Sequence, residues 1–334
     1  MHSLRQTARS ARHAVRDLAN RPRRAAQTAI QHLETRHWEK TRYRPEFNAD
    51  SFLHAFPKAA ISGTGPVVGG RIAVRIAFHY VPARLKYLVE TVDAVRTWPF
   101  RDIDIFIDTN SEEFAGLVDL YVPGAKARVW SNLENPFKLT WTHRRAFLEQ
   151  ADDYDTFAYI EDNIALPRNT MRRWLLEYDK LVPHGYLPGF LRVEASRDGT
   201  LYLSDFRGSV ERRHIIEVDG GLYLDSPYPY QGCWICHKDV FSEFRCRDSY
   251  LGGASYPPKL TERDGQLGVR EQVAVGPAFD DIPPGRISRM LIPLDGDGNI
   301  SADTLIAHTP SNYARLKDPH PAMLGTVRLD QALM

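Results

Sequence analysis

The sequence predicts an α/β protein: a mostly parallel central sheet flanked by helices, a smaller mixed β region after it, and a basic helical extension before it. Three observations lead there. Between residues 71 and 160, β-rich apolar runs alternate with stretches of helical spacing, the pattern of strand–helix–strand units that wind a parallel sheet. The fourth of these runs, 156–160, ends abruptly in Glu161-Asp162-Asn163. Beyond residue 190 the apolar runs shorten and glycine and proline become frequent, which suits short strands joined by loops.

The extension comes first in the chain. Residues 1–44 hold eleven Lys/Arg against Asp17, Glu34 and Glu39, a balance of +8 that leaves −7 for the rest of a chain whose total is +1. Leu4, Ala8, Ala11, Val15 and Leu18 recur at helical spacing with Arg5, Arg9, Arg12 and Arg16 beside them, so a basic amphipathic helix is expected. Its expected partner is an anionic membrane surface, where each Lys/Arg contributes about 1 kcal/mol. A solvated helix, a partner-binding arm and a transit peptide are the competing readings. No apolar run approaches the ~20 residues that span a bilayer, and no signal-peptide core opens the chain, so the expected location is cytoplasmic, peripheral at the inner face of the membrane.

Pro57, Gly63, Gly65, Pro66, Gly69 and Gly70 break residues 48–70 into a linker. Strands are then expected at 71–78, 103–107, 127–130 and 156–160. Helices are expected at 83–97 through Leu85, Leu88, Val92 and Val95, at 112–121 and at 139–150. Pro167 suits a helix start, and 170–181 keeps helical spacing. Short strands are expected at 190–194, 201–204, 214–218 and 233–237, a short helix at 240–246, and long loops over 250–293.

Three oxygen-bearing side chains at the carboxyl end of a strand make a candidate metal or phosphate site, because open α/β sheets bind ligands at that edge and hard cations take oxygen ligands. An ordinary polar turn is the competing reading. His79 and Tyr80 end the first strand, Asp108-Thr-Asn110 the second, and Lys138, Arg144 and Arg145 stand near the helix before the acidic strand. Gly220-Gly221 and the Tyr/Pro-rich passage holding Tyr228 and Tyr230 lead to Trp234. Aromatic faces of this kind offer flat binding surfaces, although core packing is the stronger expectation for Trp234. His308 follows an apolar run near the C-terminus.

In this order the motifs resemble nucleotide-sugar-dependent glycosyltransferases of the GT-A fold, over residues 71–315. The resemblance implies a nucleotide-binding half over 71–168, an acceptor-binding half over 169–315 and a C-terminal tail over 316–334. It implies that Glu161-Asp162-Asn163 stands in the place of the DXD motif. Asp162, Asn163 and His308 would then hold Mn²⁺ or Mg²⁺ against a nucleotide-diphosphate sugar, with His79, Tyr80, Asp108, Lys138, Arg144, Glu161 and Asp162 lining the donor site. Tyr228, Tyr230 and Trp234 would face a glycan or lipid-linked acceptor, and Glu271 would be the catalytic base, with Glu262 and Asp264 as rivals. Asn163 departs from the pattern, because an amide brings no charge to a cation. The implied activity is sugar transfer in polysaccharide or glycoconjugate synthesis. A catalytically inactive binding or scaffold protein of the same fold and a nucleotidyltransferase are the alternatives.

Other chemistries find less support. Cys233-Trp-Ile-Cys236-His237 has the spacing of covalent haem attachment, but an apolar Trp-Ile centre suits a strand interior, and three cysteines do not make a disulfide scaffold. Asp295-Gly-Asp-Gly-Asn299 begins like a calcium loop, yet Ile306 stands where the twelfth-position Glu belongs. Neither a P-loop nor a dinucleotide fingerprint occurs. With its acidic body, the chain is not expected to bind a specific nucleic acid.

Overall fold

The computed structural model describes residues 69–131, 133, 136–196, 198–206, 208–226, 230–251, 273–274, 276, 285–286, 290–311, 314 and 327–334. The basic extension, Tyr228, Glu262, Asp264 and Glu271 lie outside the described residues. The described residues within 69–80 and 87–334 belong to one compact unit, and Val81–Lys86, among them a 3-10 turn over Pro82–Arg84, belong to a second.

In chain order the elements are β1 (Gly69–Phe78), α1 (Leu85–Arg96), β2 (Phe100–Thr109), α2 (Glu112–Tyr121), β3 (Lys126–Val129), α3 (Thr142–Glu149) and β4 (Thr156–Glu161). There follow β5 (Ile164–Ala165), α4 (Arg168–Leu181), β6 (Leu187–Pro188), β7 (Leu191–Ala195), β8 (Leu201–Leu203), β9 (Ile215–Val218) and β10 (Gly221–Asp225). The last are β11 (Cys233–His237), α5 (Lys238–Phe244), β12 (Met290–Pro293), β13 (Leu305–His308) and β14 (Val327–Arg328).

The fold is mixed α/β with three sheets. The first has the order β11-β4-β1-β2-β3, in which β4, β1, β2 and β3 are parallel and β11 closes the edge antiparallel to β4. Its strands are apolar because both faces are covered: Ile72, Val74, Ile76, Phe157, Ala158, Tyr159 and Ile160 are all fully buried. Phe147 of α3 packs edge-on against Phe157, and His143 stacks on Tyr159 at 4.0 Å. Leu88, Val92 and Val95 bury one stripe of α1, as their spacing predicts.

β1 lies between β2 and β4, so the chain winds outward through β2 and β3 and then returns to the other side of β1. Open sheets receive ligands at such a reversal, outside the carboxyl ends of the strands, which here are the ends of β1 and β4. Ala77 stands beside Glu161 in register there.

The second sheet has the order β6-β12-β10-β9 and the third β14-β8-β7-β13-β5. Leu191, Val193, Leu203, Leu305 and Ala307 send one face of the third sheet into a common apolar core with Ala165, Leu224 and Ile292. Because side chains alternate along a strand, Arg192, Glu194, Ser204 and His308 occupy its opposite face. That face is polar, and all four residues are buried.

Three expectations change. The helix expected over 139–150 is a 3-10 turn, Pro136–Trp141, followed by the shorter α3. The Thr140 and Thr142 hydroxyls donate to the carbonyls of Phe137 and Leu139, each at 2.7 Å, local bonds that compete with helix bonds. The span 250–293 is not loop throughout, since Met290–Pro293 forms a fully buried strand between β6 and β10. Four apolar residues in a Gly/Pro-rich setting are too few for periodicity to reveal. The Tyr/Pro-rich passage likewise begins as a strand, β10, with Tyr223 buried.

Candidate functional site

β4 runs through Asp162-Asn163 directly into β5, so the acidic segment is the bridge between the first and third sheets. Its backbone is pinned from three sides. Glu161 N donates to the Gly232 carbonyl at 2.9 Å, the Thr91 hydroxyl donates to the Asp162 carbonyl at 3.1 Å, and Thr309 N donates to the Asn163 carbonyl at 3.0 Å. Gly232 makes its contact at φ +70, and a Cβ there would press on Ile164 at 3.0 Å, so glycine is required.

The side chains converge on a buried polar cluster. Asn163 Nδ2 donates to His308 Nε2 at 3.0 Å, and His308 Nδ1 donates to Glu194 Oε1. A carboxylate oxygen accepts, so a ring proton sits on His308 Nδ1 and Nε2 faces the Asn163 amide. Tyr230 donates its hydroxyl to Glu161 Oε1 at 2.7 Å, and its ring lies under the Arg192 guanidinium at 4.7 Å. Arg192 in turn grips Asp205 through Nε, at 2.9 Å, and Nη2. Burial pushes the Asp205 carboxyl up, against the lowering pull of Arg192; the same pair holds the Arg192 pKa well above its ordinary value. Glu161, Asp162, Glu194 and Asp205 bring four buried carboxyl groups to this part of the fold.

Two expected metal ligands, Asn163 and His308, are thus brought into contact. On donor chemistry they fit a hard cation once the amide turns aside: Asn163 Oδ1 is a buried acceptor with no hydrogen-bond partner among the described residues, and the His308 ring, held at Nδ1 by Glu194, presents Nε2 to the same amide. Among the described residues no three His, Cys, Asp or Glu side chains converge as a ready-made ligand set. A divalent ion here would be held by Asn163, His308 and Asp162, with substrate oxygens completing its coordination.

The remaining expected residues scatter. Asn110 ties together the ends of β1 and β2: Tyr80 N donates to its Oδ1 at 3.0 Å, and its Nδ2 lies 3.4 Å from His79 Nε2. Tyr80 stacks on Phe114. Lys138 is half-buried, with Nζ 5.7 Å from the centre of the Trp141 ring. Asp108, expected to touch the nucleotide, is fully buried and receives Arg75 at 2.6 and 2.9 Å and Trp130 Nε1 at 2.7 Å, so its carboxylate ties strands together. Arg144, expected near the diphosphate, points into the core, donating to the Tyr250 carbonyl at 3.0 Å beneath the ring of Trp141. Arg145 is exposed. Trp234, expected at the acceptor, is buried against His143, Phe147 and Phe244, because its β11 position faces α3.

Sequence reasoning missed Arg192, Glu194 and Asp205. Their only signal was charge inside or just after short apolar strands, which reads equally well as solvent-facing alternation. The cysteines behave as strand residues: Cys233 and Cys236 are fully buried, and burial pushes both thiols far above their ordinary pKa. Asp295 Oδ1 accepts the amides of Asp297 and Asn299, closing a Gly/Asp turn.

No protein-family model matches the chain, and no curated protein matches it. Among solved structures, one from Desulfovibrio desulfuricans G20, an inferred nucleotide-diphospho-sugar transferase, overlaps 54% of this chain and 71% of its own at 12% identity with a TM-score of 0.29. A likeness of that size carries no argument about this chain. No helix among the described residues is long and apolar enough to cross a membrane.

Proposed function

We propose that this chain is a glycosyltransferase that moves a sugar from a nucleotide-diphosphate sugar to a glycan or lipid-linked acceptor with the help of Mn²⁺ or Mg²⁺. The observation that carries the reading is the meeting of Asn163 and His308 at 3.0 Å just beyond the carboxyl end of β4, inside a cluster of buried carboxyl groups. Carboxylate, amide and imidazole donors suit a divalent cation, and a cation with few protein ligands calls for a ligand that brings oxygens of its own, as a diphosphate does. When bound, the ion supplies charge neutralisation for a leaving diphosphate. The chain's own residues orient the site: Tyr230 fixes the Glu161 carboxylate, and Arg192 holds the Tyr230 ring. The catalytic base assigned to Glu271 by resemblance lies outside the described residues. The basic N-terminal segment would bring the enzyme to an anionic membrane carrying the acceptor.

A second reading is favoured by Asn163 itself. An amide where the resemblance expects an acid weakens metal affinity, which suits a non-catalytic protein that binds a nucleotide sugar without transferring it. Thermal unfolding against nucleotides and nucleotide sugars, with Mn²⁺, Mg²⁺ or chelator, addresses both readings. A ligand at 100 times its dissociation constant stabilises the native state by about 2.7 kcal/mol, a readily measured midpoint shift. A metal-dependent shift followed by release of the nucleotide diphosphate supports transfer. A shift without release favours the second reading, and no shift with any nucleotide class overturns both.

A further inference from the structure

Glu194 occupies the polar face of β7 with a side chain fully withdrawn from solvent, and no sequence motif announces it. One carboxylate oxygen accepts the His308 Nδ1 proton; the other accepts the amide of Ala314 at 2.7 Å. A single carboxylate therefore holds both His308 at the end of β13 and Ala314 beyond it. Between them Ser311 is left-handed at φ +49, an unfavourable conformation for a residue with a side chain, and its amide donates to the His308 carbonyl at 3.1 Å. Arg192, two residues away on the same face, is engaged bidentately by Asp205.

An imidazole N–H needs only one acceptor, and a backbone carbonyl would serve. A buried anion in that place is costlier, but it locks the tautomer and makes the opposite nitrogen a stronger donor to a ligand. We propose that Glu194 is the positioning residue of the candidate site, holding the His308 ring so that Nε2 faces Asn163, the side on which a metal ion would bind. The role as a metal-site support rests on the function proposed above; the control of the imidazole does not.

The test uses Glu194→Gln, Glu194→Asp, His308→Gln and the Glu194→Gln/His308→Gln double variant of the full chain. Two-bond ¹⁵N–¹H spectra, with the His308 ring signals identified by their loss in His308→Gln, should show the Nδ1–H tautomer in wild type and its loss in Glu194→Gln. Paramagnetic titration with Mn²⁺ alone should show roughly a 10- to 100-fold weaker affinity in Glu194→Gln. Recovery is expected in Glu194→Asp, which keeps the carboxylate and guards against a mere folding defect. Glu194→Gln should add no loss in the His308→Gln background, since Glu194 acts through His308. An unchanged tautomer in Glu194→Gln, or an equal loss of affinity with His308 already removed, overturns the proposal. Wild-type protein that binds no Mn²⁺ overturns the metal reading of the function instead, and the tautomer then decides the role of Glu194.

Discussion

The Arg75 guanidinium and the Asp108 carboxylate meet side-on, Nε to Oδ2 at 2.9 Å and Nη2 to Oδ1 at 2.6 Å, with neither side chain more than 1% exposed. They join neighbouring parallel strands, with Gln150 accepting from the third arginine nitrogen at 3.0 Å and Trp130 donating to the carboxylate at 2.7 Å. A buried pair of this kind costs more to break than it contributes when intact, because the survivor is left as an uncompensated charge. Asp108→Ala should therefore lower stability by about 3–5 kcal/mol in urea unfolding. A variant of wild-type stability that loses only nucleotide affinity would return Asp108 to the donor site.

The metal assignment predicts a different phenotype. Asp162→Ala and His308→Ala should each reduce turnover at least tenfold, the equivalent of about 1.4 kcal/mol of transition-state stabilisation, while the protein still unfolds cooperatively. Wild-type turnover in both variants would remove the cation from the mechanism.

Two aromatic residues four positions apart should behave oppositely. Tyr230→Phe keeps the ring beneath Arg192 and removes only the hydroxyl that holds Glu161. A hydrogen bond to a charged group contributes about 1.5–3 kcal/mol, so kcat/KM should fall by at least tenfold if Glu161 works in the site. Trp234→Ala opens the packing around Phe147 and Phe244 and should cost about 3–5 kcal/mol of stability. Unfolding midpoints and steady-state kinetics of the two variants separate these effects, and a Tyr230→Phe enzyme with unchanged kcat/KM would take the hydroxyl out of the mechanism.

Acid should loosen the core through His143. Burial, reinforced by the adjacent Arg144 charge, holds this imidazole well below its ordinary pKa, while Nδ1 donates to the Thr140 carbonyl at 2.6 Å. The unfolded chain takes up a proton near pH 6.5 that the native chain refuses, so stability falls as pH drops below that value. The slope per histidine approaches about 1.36 kcal/mol per pH unit. His237, also lowered chiefly by burial, titrates in the same sense. Replacing His143 with Gln should flatten the decline between pH 6.5 and 5, and an unchanged slope would show that the imidazole is charged in the native state.

Much of the first sheet was legible in the chain. Long apolar runs at strand and helix spacing placed β1, β2, β3 and β4 within a few residues, because both faces of a parallel sheet must be apolar and that demand leaves a mark in each run. The end of β4 was legible for the opposite reason: three polar residues stop an apolar run where a ligand edge should be. The shorter strands of the second and third sheets left weaker marks. Two to five residues cannot display a period, and β5, β6, β12 and β14 emerge only from their pairing.

What the sequence determined by itself was local: which segments are apolar, with what period, and where charge interrupts them. Charge identity alone could not say whether Asp108 and Asp162 play the same part, nor that Arg144 belongs to the core. Those outcomes depend on partners far along the chain: Arg75 for Asp108, the Tyr250 carbonyl for Arg144, Glu194 for His308. The free energy of a buried charge is set almost wholly by what stands next to it, and only the tertiary structure brings those neighbours into place.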